Sequence, residues 1–134
     1  MHRGGELPRA GRKKNLIIGL EVEWNADLFQ CDTCSWGRHC DSSNPAPIVQ
    51  WSIRNVIESR TCLLPMIQPG TQFLLRMYQH YKQRVLPGAG GILDQPQLYI
   101  EAMEILSARE SVLRAEEAER VRRQGDRQLH RGGV

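Results

Sequence analysis

Cys31-Asp-Thr-Cys34 is the stretch whose residue types could do chemistry. A CxxC turn lets two thiolates reach one tetrahedral zinc ion, and a second pair must then come from elsewhere in the chain. Cys40 and Cys62 can supply it, so Cys31, Cys34, Cys40 and Cys62 offer the four thiolates of a closed structural site. His39, beside Cys40, is the alternative ligand in place of one cysteine. An iron–sulfur cluster also takes four thiolates, but the spacing matches neither ferredoxin pattern. Ordinary free thiols are the remaining alternative, and Cys62, next to Leu63-Leu64, also reads as a small buried apolar residue. A redox role is disfavoured, because thioredoxin-like proteins start a long helix at the CxxC and SWGRHCDSSNPAP cannot form one. A small domain with a long irregular loop gains from a metal staple. Structural zinc is therefore the expected cofactor.

No other set of residues assembles a reaction centre. Gly88-Ala-Gly-Gly91 matches no phosphate-binding fingerprint and follows a helix, so it reads as a turn. His2, His39, His80 and His130 are scattered, and Glu101, Glu104 and Glu110 share a helix with no histidine partner. The chain is expected not to be an enzyme.

The elements that must position these residues are mostly helical. QFLLRMYQHYKQRVL places Leu74, Tyr78, Tyr81 and Val85 on one stripe, with Phe73 and Met77 beside it. QLYIEAMEILSARE places Leu98, Ala102, Ile105 and Leu106 on another, flanked by Tyr99 and Met103. These spacings predict two helices, each with one buried face. Thr71 is the expected N-cap of the first and Pro87 its stop. Asp94 is the expected N-cap of the second, with Pro96 in its first turn. The second helix is expected to run on into SVLRAEEAERVRRQ, a solvated arm braced by Glu116–Arg120 and Glu119–Arg123 at i, i+4.

The N-terminal half is less regular. NLIIGLEVEW alternates Leu16, Ile18, Leu20, Val22 and Trp24 against Glu21 and Glu23, which predicts a strand over 15–24. Residues 48–59 suit either a strand, through Val49, Trp51 and Ile53, or a helix opened by Pro47, and helix is preferred. Trp24, Trp36 and Trp51 surround the cysteine loop and are expected to pack over it as a second small core. The expected fold class is thus mainly α. An antiparallel two-helix core (about 72–86 and 95–123) carries a Cys-rich irregular N-terminal loop and one strand. The domain organisation is a flexible basic tail over 1–14, a single domain over 15–124 and a disordered tail over 125–134. Within the domain, 15–62 is the cysteine-rich loop region and 63–124 the helical core and arm.

Length and charge bound the function. A chain of 134 residues buries one modest core. A hydrophobic content of 40% and a mean hydropathy of −0.47 are low for a globular domain, and the polar ends account for both. A net charge of +3 is mild. Strong nucleic-acid binding needs many phosphates neutralised together, so nucleic acid is disfavoured as a partner. Basic residues of MHRGGELPRAGRKK are followed by no apolar h-region, and LIIGL is too short to span a bilayer. A soluble cytoplasmic protein is expected, with no membrane partner.

The run from Leu74 to Leu106 resembles a recurring kind of small bacteriophage protein. In these, an aromatic-basic helix meets LP-x-x-GG-x-LDQP, then a helix that begins with Tyr and contains EAM. The matching residues are Leu86-Pro87, Gly90-Gly91, Leu93-Asp94-Gln95-Pro96, Tyr99 and Glu101-Ala102-Met103. The resemblance covers about a quarter of the chain. It is to proteins encoded between the tail-tube and tape-measure genes of long-tailed phages, and it implies a tail assembly chaperone or related tail-morphogenesis protein. The implied partners are the coiled-coil-rich tape measure or the tail tube, with self-association as an alternative. Binding would be helix-in-groove, with Tyr78, Tyr81, Leu98, Tyr99 and Met103 as partner-binding residues. Two rivals stand beside it. One is a zinc-binding nucleic-acid or protein adaptor using Arg12, Lys13, Lys14 and Arg38. The other is a virion connector or tail-tip component whose 15–24 strand pairs with a neighbouring subunit.

Overall fold

The computed structural model describes residues 9–34, 36–92 and 95–132. The chain is mainly helical, as its periodicity predicts. In order, the elements are α1 (Arg9–Trp24), β1 (Trp51–Ile53), β2 (Ile57–Ser59), α2 (Pro69–Lys82) and α3 (Gln97–Gly132), with short 3-10 turns between α1 and α2. No helix among the described residues is long and apolar enough to cross a membrane.

Residues 15–24 are helix, which corrects the expected strand. The reason is that α1 is covered on two sides. Leu16 and Leu20, one turn apart, enter a core with Leu75, Tyr78, Tyr99, Ala102, Met103, Leu106 and Leu113 from α2 and α3. Ile17, Ile18 and Val22 enter a second core with Phe29, Ile53 and Leu63 from the loop region and hairpin. A helix buried all round shows no single apolar stripe, and two adjacent stripes leave an alternation that imitates a strand. Gly19 fits the helix better than it fits a strand. A Cβ there would lie 2.8 Å from Leu75 Cδ1 and 3.0 Å from Thr71 Cγ2, so the glycine is what lets α2 cross α1 closely. With 15–24 helical, the connector reading loses the strand edge on which it depended.

The expected two-helix core is therefore a three-helix core, in which α1 packs on both α2 and α3. Residues 9–14 form the first turns of α1 and not a flexible tail. Residues 125–132, expected to be disordered, continue α3. Residues 1–8 and 133–134 of the two expected tails lie outside the described residues.

A hydrogen-bond hub fastens α1 to the start of α2. Asn15 is buried, donates from Nδ2 to the Met66 carbonyl (2.8 Å), and accepts at Oδ1 from Gln68 N–H (2.9 Å) and the Thr71 hydroxyl (2.6 Å). Thr71 is thus not the N-cap. Gln68 holds that position with Pro69 as the first helical residue, and Thr71 turns its hydroxyl to Asn15. Nor does α2 run to Pro87. Val85 N–H reaches back to the His80 carbonyl and Arg84 N–H to that of Tyr81, with Arg84 at φ 65°. This is a Schellman C-cap with arginine at the left-handed position glycine usually takes.

Residues 48–59 are a hairpin and not the preferred helix. Trp51 pairs with Ser59 and Ile53 with Ile57, antiparallel. The turn is closed by Val56 N–H to the Ile53 carbonyl, with Asn55 at φ 63°, a conformation asparagine tolerates better than most residues.

Between α2 and α3, the buried Gln95 is a latch. Its Oε1 accepts Gly88 N–H (2.9 Å), and its Nε2 donates to the carbonyls of Gly88 (3.2 Å) and Gly91 (3.1 Å). The expected Asp94 cap lies outside the described residues. Pro96 stands just before α3, and its carbonyl accepts Ile100 N–H. From Leu98 to Leu113, α3 lies on the core. Beyond Arg114 nearly every described side chain is exposed, along a helix about 54 Å long in all. The Glu119–Arg123 pair forms (3.2 Å), whereas Arg120 turns to Glu117 (3.6 Å) and not to the expected Glu116.

A polar cluster locks α2 to α3. The Glu110 carboxylate takes Lys82 (3.1 Å) and Arg114 (2.9 Å), and Lys82 Nζ lies 4.9 Å from the centre of the Tyr78 ring. Burial pushes the Glu110 carboxyl up, but its two cations outweigh this and hold it below the usual range. Burial, then the charge of Glu110 and a hydrogen bond to it, push the Tyr78 hydroxyl up to about 12. A second pair, Arg109 with Glu21 at 3.5 Å, joins α3 to α1.

Candidate functional site

The cysteines come from three segments that share almost no regular structure. After α1, Asn25 closes the helix end by two bonds to the Glu21 carbonyl, and a 3-10 turn over Cys31–Thr33 carries the CxxC. Gly37 (φ 79°) and Arg38 (φ 57°) then turn the chain back, and Cys40 follows. Cys62 stands just after β2. Its N–H donates to the His39 carbonyl at 2.7 Å, which ties the loop to the exit of the hairpin.

All four thiols meet at one small cavity of about 40 Å³, also lined by Phe29, Trp36, Arg38 and His39. Cys31 and Cys40 are exposed, and Cys34 and Cys62 are half-buried. The N–H groups of Trp36 and then Arg38 donate to Cys34 and draw its thiol below the usual range. Burial pushes the Cys62 thiol up, a shift eased by Leu64 N–H at 3.5 Å and reinforced by the nearby Cys40, Cys31 and Cys34. Among the described residues, no three His, Cys, Asp or Glu side chains form a ready-made ligand group. The four sulfurs thus share a cavity without converging on one point.

Phe29 and Trp36, which line the cavity, belong to an aromatic trio with Trp51. Phe29, Trp36 and Trp51 pack with centroids 5.2–5.5 Å apart. Two of the three expected tryptophans are here, but Trp24 packs on the helical core, and Phe29 takes its place. The signal for Phe29 is its position two residues before Cys31 in a segment otherwise poor in apolar residues.

The second feature is an open groove of about 890 Å³ beside α2 and α3. Leu16, Phe73, Leu74, Met77, Leu98, Ala102 and Ile105 line it, together with Arg12, Lys13, Glu101 and Glu104. Of the expected partner-binding residues, Leu98 is 47% exposed in this groove. Tyr99 lines it too, but it is buried, as are Tyr78 and Met103. Tyr81 is half-buried against the Tyr78 and Tyr99 rings. Tyr78, Tyr99 and Met103 are therefore core residues and unavailable to a partner: Tyr99 and Met103, which flank the stripe of α3, face the neighbouring helices, as does Tyr78 on the stripe of α2. Phe73, 51% exposed, and Met77 lie off that stripe, and large apolar side chains in that position were the signal for the groove. Arg12 and Lys13 border the groove whereas Arg38 borders the cysteine cavity, so the basic residues of the adaptor reading divide between two places.

Compared with protein-family models, curated proteins and solved structures, the chain matches none of them.

Proposed function

We propose that this chain is a non-enzymatic tail-morphogenesis protein of a long-tailed bacteriophage, acting as a tail assembly chaperone. Its groove beside α2 and α3 would hold an amphipathic helix of the tape-measure protein. The observation that carries this reading is the groove itself. It is apolar, it is walled by two helices, and it exposes Phe73 and Leu98 to about half their area. Such a surface fits a partner helix that presents anchors at i, i+3, i+4 and i+7. The LDQP segment supports the same assignment, since its latch places Pro87 and Pro96 in the groove wall. In this reading the cysteine loop is a zinc-stapled structural element and the protein works in the bacterial cytoplasm.

The test is titration of the full chain with the tape-measure protein of the same genome. Burying the exposed halves of Phe73 and Leu98 is worth about 1 kcal/mol each, so Phe73→Asp with Leu98→Asp is expected to weaken binding about 30-fold. The thermal midpoint should hardly move, because both side chains already meet water. Absence of binding, or equal binding by the double variant, overturns the assignment; capture of the tail-tube protein alone replaces its partner.

A further inference from the structure

The groove beside α2 and α3 carries opposite charges on different helices, and this narrows what can lie in it. Arg12 and Lys13 border it from α1, whereas Glu101 and Glu104 border it from α3. Arg12 and Glu101 are already engaged, Glu101 by Gln97 Nε2 at 3.4 Å. Lys13 and Glu104 are exposed, and among the described residues neither has an ion-pair partner. The start of α2 adds to the positive side. Gln68 provides no side-chain cap, Pro69 has no N–H, and Gly70 and Thr71 of the first turn line the groove, with open space over Gly70. The positive end of the helix dipole therefore lies at the groove.

Most of the remaining lining is apolar, through Phe73, Leu74, Met77, Leu98 and Ile105. A polyanion such as nucleic acid would meet Glu104, and a polycation would meet Lys13. A wholly apolar occupant would draw both charges away from water with nothing to pair them, which is unfavourable. A helix with one apolar stripe answers all three demands. The positions on either side of its stripe correspond to the e and g positions of a coiled coil, where charged residues choose the partner and its orientation. Opposite signs on the two sides match the two borders of the groove.

We propose that the groove selects a partner helix whose apolar stripe is flanked by acidic residues on one side and basic residues on the other. The acidic flank lies at Lys13 and the start of α2, and the basic flank at Glu104. The inference rests on the groove being a helix-binding site, as in the proposed function, and adds the charge pattern that selects the helix. The same pattern sets the direction of the bound helix, because turning it end for end exchanges its two flanks across the groove.

The test titrates the full chain with four labelled synthetic helical peptides, followed by fluorescence anisotropy. All carry the same leucine anchors at i, i+3, i+4 and i+7. Their flanks are glutamate on one side and lysine on the other, glutamate on both, lysine on both, or glutamine on both. The glutamate–lysine peptide is expected to bind best, by about two- to fivefold for each mispaired flank, the range of exposed ion pairs. High salt should shrink that advantage. Lys13→Glu should move the preference to the all-lysine peptide and Glu104→Lys to the all-glutamate one. Both residues are exposed, so circular dichroism and the thermal midpoint should not change. Equal binding of all four peptides by the wild type, or the same order of preference in both variants, overturns the proposal. The glutamine peptide separates this outcome from failure of the groove itself. If it binds, and Phe73→Asp with Leu98→Asp abolishes that binding, the groove stands as a helix site whatever the flanks do; no binding of any peptide overturns both. Self-association of the chain that ceases in the same double variant gives the groove to a second copy and also overturns the proposal.

Discussion

Asn15→Ala is the most informative single change to the scaffold. Asn15 is 7% exposed and satisfies three groups at once: the Met66 carbonyl, the Gln68 N–H and the Thr71 hydroxyl. Alanine leaves all three without that partner. Thr71 can recover, since a threonine hydroxyl in a helix can turn to a carbonyl one turn back. The Met66 and Gln68 groups are half-buried, and an unsatisfied buried group costs about 1–3 kcal/mol. Taking the lower half of that range for each gives a loss of about 3 kcal/mol, or about 12 °C in the thermal midpoint for a domain of this size. Equilibrium unfolding followed by far-ultraviolet circular dichroism measures it. Asn15→Asp sharpens the test. Aspartate keeps the acceptor for Gln68 and Thr71 but sets an oxygen against the Met66 carbonyl, which favours its protonated form. Its folded pKa is then raised, so its stability is present at low pH and lost as pH rises through that value. The Asp variant should approach wild type in acid, and the Ala variant should not. A loss below about 0.5 kcal/mol for Asn15→Ala, or parallel pH curves for the two variants, refutes the hub.

Two further outcomes follow from the α2–α3 contacts. Glu110→Gln should cost about 1–2 kcal/mol near neutral pH: hydrogen bonds to charged groups are worth about 1.5–3 kcal/mol, and solvent around the largely exposed Arg114 lowers this. The Glu110 carboxyl is held below its usual 4.5 in the fold, so its contribution is present above that value and lost as pH falls through the folded pKa. Urea titrations should therefore show wild type and Glu110→Gln converging in acid. Gln95→Ala should cost about 1–3 kcal/mol and speed hydrogen exchange at the Gly88 amide, which donates to the Gln95 side chain. An unchanged Gly88 exchange rate would show that the loop is held by something else.

The helical class was legible because α2 and the first half of α3 each have one buried stripe and one wet face. Helix α1 was not, because its neighbours cover two faces and erase the contrast on which periodicity depends. Gly19 was the missed signal: it counts against a strand, yet it permits the crossing with Leu75. The hairpin was hidden for a different reason. Its strands have three residues each, too few to show a period, and Asn55 in the turn was the stronger clue. Residues 125–132 are helical although Gly125 disfavours it: they continue a helix already braced by the Glu119 pairs with Arg122 and Arg123.

At the sites, spacing alone brought the four cysteines to one cavity, but sequence could not show which backbone N–H groups face the sulfurs. The groove was only partly legible for a physical reason: the apolar residues of a helix serve the fold first, and the surface left for a partner is what the neighbouring helices do not cover. Leu98, Phe73 and Met77 are there, whereas Tyr78, Tyr99 and Met103 are consumed by the core. The LDQP segment joins the two levels. Gln95 binds Gly88 and Gly91 across the turn, and Pro87 and Pro96, on either side of it, stand in the groove wall. A residue with no contact to a partner can thus set the shape the partner meets. On that argument Gln95→Ala should weaken tape-measure binding as well as stability, whereas Glu110→Gln, whose side chain does not line the groove, should weaken stability alone.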